Sequence, residues 1–218
     1  MNLLNPFMFA GGGGAGYALI ASASASGSST SATTAAIDTS GATLLIACMA
    51  DDAPSPAASL TDSEGNTWNI LSAQASGQPR IRIAWCVPTT TSVSHTVTVS
   101  GATTYPAVAF AAFSGAHASP FDADNGATTS GAMSLSTGSV TPSVDGALVI
   151  AAAGTGNTTG IAIDSGFTLQ ELVPFTINNN YALGMAFKIQ PSAAAENPEW
   201  SWSSSAHAAV KIACFKPA

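Results

Sequence analysis

The chain has 218 residues, 46% of them hydrophobic and only 8% charged, with a net charge of −7. A chain of this length buries roughly 70% of its unfolded surface and does not depend on disulfides to fold. Its cations, Arg80, Arg82, Lys188, Lys211 and Lys216, are too few to neutralise a phosphate backbone, and no apolar run is long enough to span a bilayer, so neither a nucleic-acid partner nor membrane insertion is expected.

The first stretch, MNLLNPFMFA over residues 1–10, is apolar and runs straight into glycines. It lacks the Lys or Arg of a secretory n-region, and Pro6 and the glycines interrupt it, so it reads as an extended arm rather than a signal. Gly11, Gly13 and Gly16 satisfy G-x-G-x-x-G, with Asp38 farther on as the acid a ribose would need. A dinucleotide loop requires a strand before it and a helix after it, and neither is expected here. The glycines therefore read as a linker, continued by ASASASGSSTSATT at 21–34, which has little to bury. Residues 1–35 are expected to form an N-terminal anchoring arm and Gly/Ser-rich linker, and residues 36–218 a β-sandwich domain.

From Ala36 onward, short apolar or alternating runs are separated by Gly, Pro, Asp and Asn. They predict strands near 42–49, 67–73, 79–87, 94–100, 105–113, 134–141, 146–153, 167–173, 180–189, 199–203 and 207–215. In SHTVTVSG the alternation is explicit: His95, Val97 and Val99 share one face, Ser94, Thr96 and Thr98 the other. Thr, Val and Ile dominate these runs and glycine interrupts them often, which argues against helices.

The order of runs recurs. SGATLLIACMA at 40–50 returns as DGALVIAAAGT at 145–155, an offset of 146 − 41 = 105 at the glycine. DSEGNTWNI returns as DSGFTLQEL, RIAWCVP as GMAFKIQP with Ala84 against Ala186, TVTVS as EWSWS, and AVAFAAF as AVKIACF. The pseudo-repeats are placed at 36–116 and 140–218. Five strands with one apolar face need a second face to cover them. The fold class predicted is all-β: a two-sheet antiparallel β-sandwich, jelly-roll-like, built from two pseudo-repeated halves that share one core, with an extended N-terminal arm.

Taken together, LTDSEGNTWNIL, RIAWCVPTTTSVSHTVTVSG, YPAVAFAAFSGA, GSVTPSVDGALVIAAAGT, DSGFTLQE and KIQPSAAAENPEWSWSSSAHAAVKIACFKPA resemble a recurrent β-sandwich module of tailed-phage and prophage virion proteins and bacterial surface proteins. The resemblance spans about 38–218 and rests on core aliphatics, turn glycines and the final FKP, so it implies a fold and carries no catalytic residues. Separately, LLNPFMFA looks like the short Asn-Pro-aromatic peptide that begins many tailed-phage virion proteins, with Phe7 and Phe9 as its aromatic part.

Candidate chemistry is sparse. G-x-S-x-G does not occur, and His95, His117 and His207 are scattered, so no enzyme and no catalytic residues are expected. Asp51, Asp52, Asp62, Glu64, Asp122 and Asp124 fall in expected loops, where calcium would find oxygens, but DSEGNTW fails the EF-hand pattern and reads as a turn; no metal site and no cofactor is expected. Trp68, Trp85, Trp200 and Trp202 are expected in the core, with Trp200 and Trp202, which share a strand face, the alternative as a glycan-stacking pair. Cys48, Cys86 and Cys214 read as buried thiols, a Cys48–Cys214 bridge remaining open.

The arm then carries the functional expectation. Fixing ten residues costs about 10–20 kcal/mol of backbone entropy. Burial of Leu3, Leu4, Phe7, Met8 and Phe9 returns roughly 1.5–3 kcal/mol each, so strand pairing with a neighbour is needed as well. Leu3, Leu4, Pro6, Phe7, Met8 and Phe9 are the expected assembly contacts. The function expected is that of a phage virion structural protein, an accessory, decoration or fibre-type subunit located in the virion and held to other virion proteins by the arm. A homo-oligomer is expected, and the alternative is a carbohydrate-binding adhesin or receptor-binding module that meets a host-surface glycan. The arm folding back on its own body as an extra strand is the competing expectation for residues 1–10.

Overall fold

A computed structural model describes residues 16–52, 58–75, 77–101, 105–175 and 180–218. Its elements are β1 (Ala18–Ser26), β2 (Ser31–Thr33), β3 (Leu44–Asp51), β4 (Ser59–Asp62), β5 (Asn69–Ile70), β6 (Gln74–Ala75), β7 (Arg80–Cys86), β8 (Val97–Ser100) and β9 (Ala107–Ser114). There follow β10 (Ala116–Ser136), β11 (Leu148–Thr155), β12 (Ala162–Ile163), β13 (Thr168–Phe175), β14 (Tyr181–Ile189) and β15 (Glu199–Pro217). The fold is all-β, with no helix among the described residues, and every strand pairing is antiparallel.

One six-stranded sheet runs β1-β9-β3-β7-β5, with β6 also on β7; a second runs β10-β15-β11-β14-β13, with β12 also on β15; a small sheet runs β2-β8-β4. In the first sheet Ala47 faces Ala84 on one side and Phe110 on the other. In the second Ala151 stands likewise between Ala186 and Ile212.

Two segments depart from the sequence reading. The tract expected as linker carries β1 and β2, and β1 pairs with β9 from Ala18 to Ser26. Its alternation is written in Ala and Ser: Ala21, Ala23 and Ala25 pack on the core, while Ser22 and Ser24 donate to the Glu171 carboxylate. Small side chains still seal a layer when the partner strand comes close. Residues 117–133, taken as a connection between repeats, lie in the 21-residue β10, which follows β15 through several bulges. β15 is likewise one bent strand where two were expected.

Burial divides the core into layers. The central one unites both large sheets: Leu44, Ile46, Cys48, Ile81, Ile83 and Phe113 meet Leu148, Ile150, Leu183, Met185 and Phe215. Aromatic rings cross it, Trp85 to Phe215 at 6.1 Å and Phe187 to Phe113 at 5.4 Å, and Trp85 also stacks on Phe121 at 5.8 Å. Each fully buried Phe or Leu contributes roughly 1.5–3 kcal/mol to holding the sheets together. The core expected to be shared by both halves corresponds to this layer alone. A second cluster lies between the first sheet and the small one, with Leu45, Met49, Val97, Val99 and Phe110. The outer face of the second sheet has its own, with Ala151, Ala186, Trp200, Trp202 and Val210.

Polar contacts line the two rims of the central layer. On one, Ser22 and Ser24 meet Glu171; on the other, fully buried Lys211 donates to Asp124 and lies 3.5 Å from the Ser72 hydroxyl.

Candidate functional site

Where the central layer ends, the two large sheets part and leave a cleft of about 410 Å³ lined by Gly77, Gln78, Tyr181 and His207. Strand parity places the side chains. On β14, Tyr181 shares the inward face with Leu183 and Met185; on β15, His207 shares it with Ala209 and Ala213. The opposite wall is the turn leading into β7, where Gly77 takes φ +76°. Behind the cleft the sheets nearly touch, since a Cβ on Gly154 would lie 3.2 Å from the Pro79 ring.

The Tyr181 hydroxyl donates to Gln78 Oε1 at 3.3 Å, and its ring leans on Phe175 with centroids 5.6 Å apart. Burial, and secondarily the negative charge of Asp52, push the Tyr181 phenol above its ordinary range, so it keeps its proton at neutral pH. His207 is exposed. The described lining offers an aromatic face, a phenol, an amide and an imidazole to an incoming molecule.

Elsewhere the fold assembles a row that resembles a hydrolase triad. The His95 ring, fully buried, has Nδ1 3.0 Å from Thr39 Oγ1 and Nε2 3.5 Å from Asp62 Oδ2. Thr39 is also fully buried, so no substrate reaches its hydroxyl. Asp62 accepts from Trp68 Nε1 at 2.8 Å and from the backbone N–H groups of Glu64 and Asn66. Desolvation opposes ionisation of Asp62, but these hydrogen bonds and neighbouring His95 together outweigh it and hold the carboxyl below the usual carboxylate range. The row fastens three loops to one another.

The other sequence candidates are dispersed. Leu3, Leu4, Pro6, Phe7, Met8 and Phe9 lie outside the described residues, as do Gly11 and Gly13; Gly16 leads into a strand, not a helix. Asp51 pairs with Arg80 at 2.7 Å, Asp124 with Lys211, Asp122 accepts from the Ser143 N–H, and Glu64 accepts from Ser92. Asp122 and Asp124 stand in a strand, not a loop. Among the described residues no three His, Cys, Asp or Glu converge as metal ligands would.

The glycan pair is corrected by burial: Trp200 is 0% and Trp202 3% exposed, and the Trp202 Nε1–H donates to the Ala132 carbonyl at 2.8 Å. A sugar cannot stack on faces already covered by Ala151, Ala186 and Val210. Cys48, Cys86 and Cys214 are free buried thiols, so the open Cys48–Cys214 bridge is not formed; burial pushes Cys86 up to about 12 and Cys214 up to about 11.

Tyr181 and Gln78 were not singled out by the sequence. They are 103 residues apart and belong to no motif; only the offset that matches Ala84 with Ala186 hints that 78 and 181 flank equivalent strands. No family model, curated protein or solved structure matches the chain.

Proposed function

We propose that the body is a pair of jelly-roll-like sandwiches, one per pseudo-repeated half, joined back to back through their larger sheets. The reading is supported by the strand orders: β1-β9-β3-β7 over β2-β8-β4 in one half, β10-β15-β11-β14 with β12 and the end of β10 on β15 in the other. It is supported too by matched isolated bridges, Ile37 to His95 and Val140 to Glu196. The contacts Trp85 with Phe215 and Phe187 with Phe113 then exchange under an approximate two-fold axis, as in an isologous dimer. In this alignment the repeat takes in β1 and β10. It also corrects the register, because Ala47 matches Ala151 at 151 − 47 = 104, one residue out of step with the glycines.

On this body we infer the role of a tailed-phage virion structural protein, an accessory, decoration or fibre-type subunit fastened by its apolar leader. The observation that carries it is Tyr17. Its ring is buried in the central layer and its hydroxyl donates to the Lys216 carbonyl at 2.8 Å, so the packed body is closed at the residue where the glycine linker enters. On this reading the Leu and Phe side chains of residues 1–10 serve a neighbouring chain. Exposed Ile20 on β1 and Leu169 and Leu172 on β13, both edge strands, favour several copies side by side.

Deletion of residues 1–10 tests this. The expected result is an unchanged melting temperature with loss of association with purified particles. A lowered melting temperature, or undiminished association, overturns it.

A further inference from the structure

We propose that the cleft formed by Gly77, Gln78, Tyr181 and His207 is a carbohydrate site that takes a neutral pyranose through stacking on Tyr181 and hydrogen bonds to Gln78 and His207. This goes beyond the structural role above and does not depend on the leader.

Four observations converge. The cleft's volume of about 410 Å³ lies within the range of roughly 300–1,000 Å³ usual for small-ligand pockets, and its lining comes from both large sheets. Tyr181 is half-buried, its ring fixed against Phe175, so a flat apolar surface is presented without the entropy cost of ordering a loose side chain. Because Gln78 Oε1 accepts from the Tyr181 hydroxyl, the amide orientation is set and its N–H groups are left as donors to a sugar hydroxyl. The exposed His207 ring adds a nitrogen for a hydrogen bond to one further sugar hydroxyl.

Charge selects within ligand classes. No Lys or Arg is among the described residues that line it, the carboxylate of Asp52 acts on Tyr181, and the whole chain carries −7. A phosphate, sulfate or sialic acid is repelled there, whereas a neutral ring is not. An apolar ligand would cover the Gln78 amide N–H groups and the His207 ring without pairing them, which disfavours it.

The test uses the full chain and a panel of methyl glycosides of glucose, galactose, mannose and N-acetylglucosamine, read by saturation-transfer NMR and calorimetry. At least one glycoside is expected to bind with a millimolar or tighter Kd. Gln78→Ala and His207→Ala, both exposed and outside the packed core, are each expected to weaken it about tenfold, which is ~1.4 kcal/mol. Tyr181→Phe keeps the stacking ring and loses less than Tyr181→Ala, while His117→Ala, on β10 and outside the cleft, leaves binding unchanged. Leader deletion also leaves it unchanged, so failure of this site and failure of the virion reading are told apart. The proposal is overturned if no glycoside of the panel binds at millimolar concentration, if Gln78→Ala and His207→Ala both bind as the parent does, or if inorganic phosphate binds in place of the neutral sugars.

Discussion

The outer faces of the two large sheets meet the same packing problem with opposite materials. On β7 the outward positions are Arg80 and Arg82, buried at 6% and 7% exposure and joined to Asp51, and Arg82 also donates to the Ala58 carbonyl at 3.2 Å. On β14 the outward positions include Ala182 and Gly184, and the space is taken by the Trp200 ring, which a Cβ on Gly184 would approach to 2.9 Å. One half fills its gap from the sheet with charge; the other fills it from the covering layer with an aromatic. A backbone arrangement thus sets the volume to be filled and leaves the chemistry free.

Truncating the aromatic side gives the largest expected effect. Trp200→Ala removes a fully buried indole and is expected to cost ~3–5 kcal/mol, read from urea unfolding. Val99→Ala, in the small sheet covering the first half, is expected to cost about 2 kcal/mol. Equal losses would mean the two outer clusters do not differ in this way.

Next comes the charged side. Asp51→Ala leaves two buried guanidiniums without their carboxylate and is expected to cost ~3–5 kcal/mol, whereas the triple change Asp51→Leu, Arg80→Met, Arg82→Met is expected to be neutral or stabilising. A triple variant as unstable as Asp51→Ala would show that the charges do more than fill space. Smaller again is Gly184→Val, expected to cost ~1–3 kcal/mol through collision with Trp200, and to be partly relieved when combined with Trp200→Leu.

The smallest effect is one of pH. Because the Asp62 carboxyl is held below its unfolded range, its contribution is present above about pH 4 and is lost as pH falls through the folded value. The melting temperatures of the parent and Asp62→Asn are therefore expected to keep a constant gap above about pH 5 and to converge as the pH falls below about 4. A gap that does not close on acidification would place the stabilisation of this loop elsewhere.

The strands legible in the sequence were those written in Val, Ile, Leu and Phe, such as β3, β7, β9, β11 and β14. β1 and β10 were not, because Ala, Ser, Thr and Gly serve linkers and tightly approached strands alike; what distinguishes them is a partner far along the chain. The repeat proposed above needs one change of register from the recurrence of runs: aligning Gly41 with Gly146 sets Leu44 against Val149, whereas Leu44 pairs with Phe113 as Leu148 pairs with Phe215. Thr43 is the extra residue between turn and strand in the first half, and a slip of one exchanges the two faces of a strand. The cleft and the Thr39–His95–Asp62 row were illegible for a different reason: each gathers single residues from separate strands and turns, with no spacing rule to connect them.

The bond from Tyr17 to the Lys216 carbonyl has a mechanical consequence. Tyr17 stands one residue from the start of the described chain, and its ring is buried in the central layer and latched to β15, the strand with partners in β10, β11 and β12. If residues 1–10 are the fastening proposed above, a load entering at Tyr17 passes into β15 as well as into β1, so strands of both large sheets share it.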